Sequence, residues 1–310
     1  MTYKVASYLM GIPPGNTNPE KPAIIVNFIE GVWRCGDEGT IVTDYEPVDC
    51  DVAVVQGYVH ANSKKTPHLM LRKNVFDHQH KTGNRSIIVD SNLFLYADPE
   101  NKNTFLRYSY DGIFPTTGEY CNNNPDPKRW EVVKSKLGID LQPYTTKGEY
   151  ILLCCQRDGG WSMDGQELMP WLVKTIKKIQ QYTDRKIVVR FHPGDKKINE
   201  HKRLLVRYRL KDVLISSSKD IRTDFKNAYA VVSYNSSPGV AAAIEGKPLF
   251  LLDPDNSQAK DVGHTNLAHL EKPRHFDRET WIHKIAQMHW TLDELKDGTA
   301  WTHLRKYAKK

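Results

Sequence analysis

Short apolar runs punctuate the second half of the chain at regular intervals. They are Glu149–Cys155 (EYILLCC), Lys186–Phe191 (KIVVRF), Asp212–Ser216 (DVLIS), Ala228–Tyr234 (AYAVVSY) and Pro248–Asp253 (PLFLLD). Unbroken apolar runs of this length, bounded by polar or turn residues, predict strands covered on both faces. Helical patterns separate them. In 170–182, Leu172, Ile176 and Ile179 share one face, lysines occupy another, and Pro170 stands near the first turn. Residues 199–210 and 221–229 predict shorter helices, and 237–246 (SPGVAAAIEG) has a serine cap, an early proline and a closing glycine. This alternation predicts a parallel, doubly wound sheet.

The first half repeats the theme with longer loops. Pro22–Ile29 (PAIIVNFI), Cys50–Tyr58 (CDVAVVQGY) and Arg85–Asp90 (RSIIVD) read as parallel strands, and Asn101–Pro127, rich in Asn, Pro, Gly and Tyr, as loops. A helix is expected to end at Gly138, followed by a linker, and the tail from Asp277 reads as helical without strands. No fixed-period repeat is present. The expected fold is α/β, with two doubly wound Rossmann-like domains (1–145 and 146–275) facing across a cleft and C-terminal helices (276–310) packing back across them.

Composition narrows the class. The 310 residues are 39% hydrophobic and 26% charged, as in a soluble globular protein, and no apolar run is long enough to span a bilayer. The first residues lack a secretory-signal layout, and five cysteines without a CxxC pair suit a reduced, cytoplasmic chain. Lysine and arginine outnumber the acids 44 to 37. The stretch His60–Arg85 concentrates six of those cations against one acid, Asp77. It is either a solvated loop or a surface for polyanion phosphates, with Lys64, Lys65, Arg72 and Lys73 as the contacts. Phe76–His80 (FDHQH) could ligate a metal, but no second cluster has matching spacing, so no metal is expected.

In open α/β sheets, ligands sit beyond the carboxyl ends of the strands. In the second half those ends bring together Gln156, Arg157, Arg190, His192, Ser217, Ser236, Ser237, Gly239 and Asp253. Ser236 and Ser237 precede Pro238 and Gly239, so a helix with free N-terminal amides is expected there, a ready anion site. His192 closes KIVVRFHPGD, where Pro193 stiffens the exit and Gly194 permits a turn, and can donate to a diphosphate or protonate a leaving phosphate. Each feature also has a plain structural reading, as a helix cap or a strand-end histidine. In the first half, Asp90 ends a strand and Asp37 lies in the glycine-flanked CGDEG; both suit a general base.

RFHPGD followed by NSSPG…GKP resembles the His-Pro and Ser-Ser motifs of GT-B glycosyltransferases of the polysaccharide and sialyl-transfer type. ILLCCQRDGGWSMDG, SNLFLYAD, FLRYSYDGIFPTTGEY and HWTLDELKDGTAWTHLRKY look similar to tailed-phage glycosyltransferases that decorate hydroxymethylated pyrimidines in DNA, arabinosyl-transferring members included. The resemblance covers most of the chain. It implies a UDP-sugar co-substrate held by the second domain through the histidine and serines, with no other cofactor. It also implies a modified base in double-stranded DNA as acceptor, bound by a monomeric enzyme in the infected host cytoplasm. On that reading Tyr108–Tyr120 offers an aromatic loop to stack on a flipped base. One departure stands out: where many GT-B enzymes place a ribose-binding glutamate the chain has Ala241, and the helix's only acid is Glu245. Ribose recognition then falls to 215–221 or 253–256. Two other functions fit the same residues: a surface-polysaccharide glycosyltransferase, and a nucleotide- or DNA-binding protein without transfer activity.

Overall fold

The computed structural model describes residues 2–59, 63, 65–94, 105–163 and 165–309. The chain forms two compact units. The first comprises Met1–Asn92, Tyr96–Leu137 and Ile282–Lys310, and the second Leu93–Leu95 and Gly138–Trp281. The sequence-based divisions fell at 145 and 275.

Unit 1 is built from β1 (Lys4–Tyr8), α1 (Glu20–Arg34), β2 (Glu38–Val42), β3 (Val52–Gln56), α2 (Pro67–Thr82), β4 (Arg85–Ser91), β5 (Leu106–Tyr110) and α3 (Pro127–Leu137). Its sheet runs β11-β5-β4-β3-β1-β2, where β11 is the two-residue His289–Trp290. The four strands β1 to β4 are parallel, whereas β5 and β11 are antiparallel to their neighbours. Alternate residues serve the two faces. Val5, Val52, Val54, Ile87 and Val89 pack with Phe28 of α1 and with Trp301, while Ala6, Tyr8, Ala53 and Val55 pack with Leu71 and Val75 of α2.

Pro22–Ile29 is therefore helix, not strand. Ile24, Ile25, Phe28, Ile29 and Val32 are buried while Trp33 and Arg34 are exposed, a helical period that the octet alone is too short to display. The segment expected to be a basic loop is largely α2. Its buried stripe of Leu71, Arg72, Val75 and Gln79 is half polar, which hides the amphipathic signal. The region expected to hold only loops contains β5, all five residues of which are buried.

The tail completes unit 1 through α9 (Leu292–Lys296), α10 (Thr299–Leu304) and the end of α8 (Glu279–Gln287), and it also supplies β11, contrary to the strand-free reading. Trp301 packs edge-on against Phe28 and Tyr3. Thr291 and Glu294 form a capping box at the start of α9, and Arg129 of α3 donates to Glu294. A Cβ on Gly31 would stand 1.9 Å from the Leu295 carbonyl oxygen, so α1 and α9 approach as closely as they do because residue 31 is glycine.

Unit 2 follows the sequence pattern closely. Its elements are β6 (Tyr150–Cys154), α4 (Leu168–Ile179), β7 (Lys186–Arg190), α5 (Ile198–Arg207), β8 (Val213–Ile215), α6 (Ile221–Asn227), β9 (Ala228–Ser233), α7 (Ser237–Ile244) and β10 (Leu249–Leu251). The sheet is wholly parallel in the order β10-β9-β6-β7-β8. Ile151, Leu153, Ile187, Val189 and Val232 meet Leu172, Ile176 and Leu205 on one face, while α7 packs along β9 and β10. No helix among the described residues is long and apolar enough to cross a membrane.

Candidate active site

Strand order locates the crevice of unit 2. The chain runs from β6 to β7 and β8 on one side, then crosses to β9 and β10 on the other, so the sheet's switch point lies between the carboxyl ends of β6 and β9. Cys154, Arg190 and Ser233 stand level across three adjacent strands. The residues that follow them, Gln156 and Arg157, His192, and Ser236 and Ser237, therefore gather at one edge. At ordinary strand spacing, the exits of β7 and β9 are about 10 Å apart.

His192 has a defined tautomer. Its Nδ1 accepts the Gly194 backbone N–H at 2.9 Å, with Arg157 Nε a further 3.5 Å donor. The turn made by Pro193 and Gly194 thus leaves the ring proton on Nε2. Burial, and then the Arg157 charge, lower the histidine's pKa, with Asp195 opposing. That shift favours the neutral ring, which with Nδ1 accepting presents one N–H donor at Nε2, suited to a phosphate oxygen.

Beside it, α7 begins with an open end. Ser236 occupies the N-cap position with extended backbone, yet its side chain makes no capping bond and its Oγ lies 3.0 Å from Ser233 Oγ. Pro238 in the first turn removes one donor. Gly239 does not serve as expected: its N–H donates to the Ser236 carbonyl at 2.9 Å, and the residue is buried against Leu249 and Leu251. Its role is helix–sheet packing. Glu245 caps the far end of α7, away from the sheet edge that holds the serines.

Several predicted contacts are instead scaffold. Arg190 turns away to hold the loop after β8: it donates to the Ser218 carbonyl at 2.9 Å, the Lys219 carbonyl at 2.8 Å and Asp224 at 2.5 Å. Its partner Asp224 also accepts from Ser216, so Arg190 and Asp224 together brace the loop that carries exposed Ser217. Gln156 is buried and its amide donates to Asn235. Asn235 in turn donates to the Ser162 carbonyl at 3.1 Å and to Asp253 at 2.8 Å, and Asn256 joins Asp253 at 3.1 Å. This polar chain ties together the ends of β6, β9 and β10. A second frame, Asp158 with Lys197 (2.8 Å) and Asp195 with His201 (2.6 Å), fixes the loop beyond His192. Leu168's amide, then Lys197, hold the Asp158 carboxyl below its ordinary range. Asn235, Asp158 and Asp195 escaped the sequence reading because single polar residues after strands carry no pattern.

In unit 1 the two carboxylates separate. Asp37 is at the amino end of β2, with a side chain only 1% exposed that accepts from the Tyr3 amide (2.9 Å), the Trp301 indole (2.7 Å) and Arg305 (3.2 Å). These bonds speak for a structural carboxylate rather than the base expected there: its side chain is buried, and it lies a full strand length, roughly 15 Å, from the carboxyl edge. Asp90 is at that edge, ending β4, with its carboxylate partly exposed. One oxygen accepts from Arg107 at 2.6 Å and the other from the Ser91 amide at 2.8 Å.

The expected polyanion contacts fare unevenly. Lys65 is exposed, and exposed Lys73 pairs with Asp77, whereas Lys64 lies outside the described residues. Arg72 is buried and donates to the Gly11 carbonyl at 2.8 Å, so a duplex backbone cannot reach it. Tyr108, Tyr110 and Tyr120 are core residues, which removes the proposed stacking loop. In FDHQH, Asp77 serves Lys73, and His78 lies 3.1 Å from Asp49.

No protein-family model matches the chain, and no curated protein matches it in sequence. Solved structures that share its fold include two KpsC transferases. The Thermosulfurimonas dismutans KpsC beta Kdo 2,4 transferase is 13% identical, with 91% of this chain and 89% of that chain covered and a TM-score of 0.54. The beta Kdo 2,7 transferase of the same organism's KpsC is 15% identical, covering 96% and 99%, with a TM-score of 0.53. The expected fold class holds: two Rossmann-like α/β units of GT-B-like type.

Proposed function

We propose that the chain is a glycosyltransferase that takes its sugar from a nucleotide-activated donor, whose phosphate rests on unit 2. The observation that carries this reading is the strand-end cluster at the switch point: His192 with Nδ1 held by the Gly194 amide so that Nε2 is left to donate, the Arg157 guanidinium, and the uncapped start of α7. These groups suit the negative charge that grows on a departing nucleotide phosphate. In the transfer, an acceptor hydroxyl oxygen bonds to the anomeric carbon as the bond from that carbon to the phosphate oxygen breaks. The hydroxyl proton passes to a carboxylate, which we assign to Asp90, and the electron pair leaves with the nucleotide.

For the acceptor we favour a carbohydrate of a surface polysaccharide, because both similar structures are of Kdo transferases. The second reading, a hydroxymethylated pyrimidine in phage DNA, draws on the motif resemblance and on the excess of cations, with Lys65 and Lys73 exposed. One experiment separates them. The protein is incubated with a panel of UDP- and CMP-sugars and either oligosaccharide acceptors or 5-hydroxymethylated duplex DNA, and products are read by mass spectrometry. Sugar added to the oligosaccharide supports the first reading, and sugar on the nucleoside the second. Failure to bind any nucleotide sugar overturns both. His192→Ala should abolish transfer.

A further inference from the structure

Unit 1 has a switch point of its own. The chain adds β2 on one side of β1 and then crosses to β3 on the other, so a crevice lies between the carboxyl ends of β1 and β3. Gly11 and Gly57 line the turns there. The Arg72 side chain, from α2, fills the space between them: Nε donates to the Gly11 carbonyl at 2.8 Å, and Nη1 lies against Gly57. A Cβ on residue 57 would stand 2.7 Å from Nη1, and its φ of +83° is left-handed, so glycine is required twice over.

Arg72 as a whole residue is only 8% exposed, and among the described residues its two terminal nitrogens make no hydrogen bond. Two neighbours share the deficit. Among the described residues, Nδ1 of His68, one turn earlier on α2, and Oε1 of Gln56, the residue before Gly57, are buried without a partner. Burial draws the Arg72 pKa down to about 10, with Asp90 opposing, and burial and then Arg72 lower that of His68. The charges that meet here are two guanidiniums, Arg72 and Arg107, against the one carboxylate of Asp90, which already accepts from Arg107 and the Ser91 amide. Among the described residues one positive charge is left over. Buried charges are ordinarily paired, because leaving water without a partner is unfavourable.

We infer that this crevice binds the acid group of a small sugar, a carboxylate or a phosphate monoester, through Nη1 and Nη2 of Arg72. Resting on the transferase reading, this makes the acceptor itself acidic, with its acid group held at the same sheet edge as Asp90. The depth of the guanidinium selects a small molecule over a polymer's outer phosphates.

The test is binding of glucuronate, glucose 6-phosphate and glucose, by isothermal titration calorimetry without any donor. The wild-type protein should bind at least one of the two acids about tenfold or more tightly than glucose, and which acid it prefers names the group. Arg72→Gln should erase that preference, Arg72→Lys should keep part of it, and Gly57→Ala should weaken it by displacing the guanidinium without removing it. Lys81→Gln, an exposed cation on the same helix, should behave as wild type. Equal binding of acids and glucose by the wild type overturns the inference, as does an unaltered preference in a folded Arg72→Gln protein. UDP and CMP binding is measured in the same samples. Loss of acid preference with nucleotide binding intact affects this site alone, whereas acid preference without nucleotide binding sinks the transferase reading and leaves the anion site standing.

Discussion

Asp37 tests whether a carboxylate is structural or chemical. Its oxygens accept from a buried indole N–H, a part-buried backbone N–H and a guanidinium. Asp37→Ala strands the Trp301 N–H, about 1–3 kcal/mol, and loses the Tyr3 bond, about 1 kcal/mol. The Arg305 arm adds less, because that side chain is 28% exposed and water takes over. The sum is about 3 kcal/mol, which lowers the melting temperature of a unit this size by roughly 6–12 °C. Asp37→Asn keeps the shape but turns an NH2 toward donors, and should cost a similar amount. Differential scanning calorimetry reads the shift, and transfer is measured at a temperature where both variants remain folded. There, both should be active within about threefold of wild type. An unshifted melting temperature combined with lost transfer would mean that Asp37 is the base after all.

Other expectations follow from the same geometry. His289 is buried, its Nδ1–H donates to the Ile285 carbonyl, and burial together with Arg107 and Arg129 lowers its pKa to about 3. Below about 6.5 the unfolded chain takes a proton that the folded chain refuses, so stability falls with acidification from there toward pH 3, by about 2 kcal/mol at pH 5; urea titrations at pH 7.5 and 5 should show it, and His289→Phe should flatten that slope. Arg190→Met or Asp224→Leu alone should destabilise by about 3–5 kcal/mol, and the double change by less than either, since a lone buried charge is worse than none. Gly239→Ala should leave nucleotide affinity and stability within about twofold and 1 kcal/mol, because its Cβ would meet Leu249 and Leu251 at 3.5 Å; a collapse of affinity would restore the phosphate role this structure denies it.

Unit 2 was legible because its strands, the edge strand β8 apart, are buried on both faces and its helices are short and regular, so every apolar run names one element. The edge with His192, Arg157 and the serines followed from that alone. Unit 1 was harder. In α1, β-branched residues make a run that imitates a strand until Val32 and Gly31 are included. In α2, Arg72 and Gln79 occupy core-facing positions, so a helix looks like a basic loop. Asp37 and Asp90 could not be ranked from local sequence, because the difference lies in Trp301 and Arg305, more than 260 residues away along the chain. Arg190 misled for a related reason: strand alternation gives the face on which a side chain starts, but a long side chain bends to the nearest carboxylate, here Asp224.

The indole of Trp301 fastened to Asp37 has a consequence for biosynthesis. The ribosome releases residues 138–281 while the N-terminal strands still lack their last covering layer, so the later-encoded unit can reach its native state before the earlier-encoded one. Stop codons or truncations that remove only the final dozen residues should therefore unravel the N-terminal lobe and spare the middle of the protein, which a protease digest of such a fragment would reveal as one surviving band.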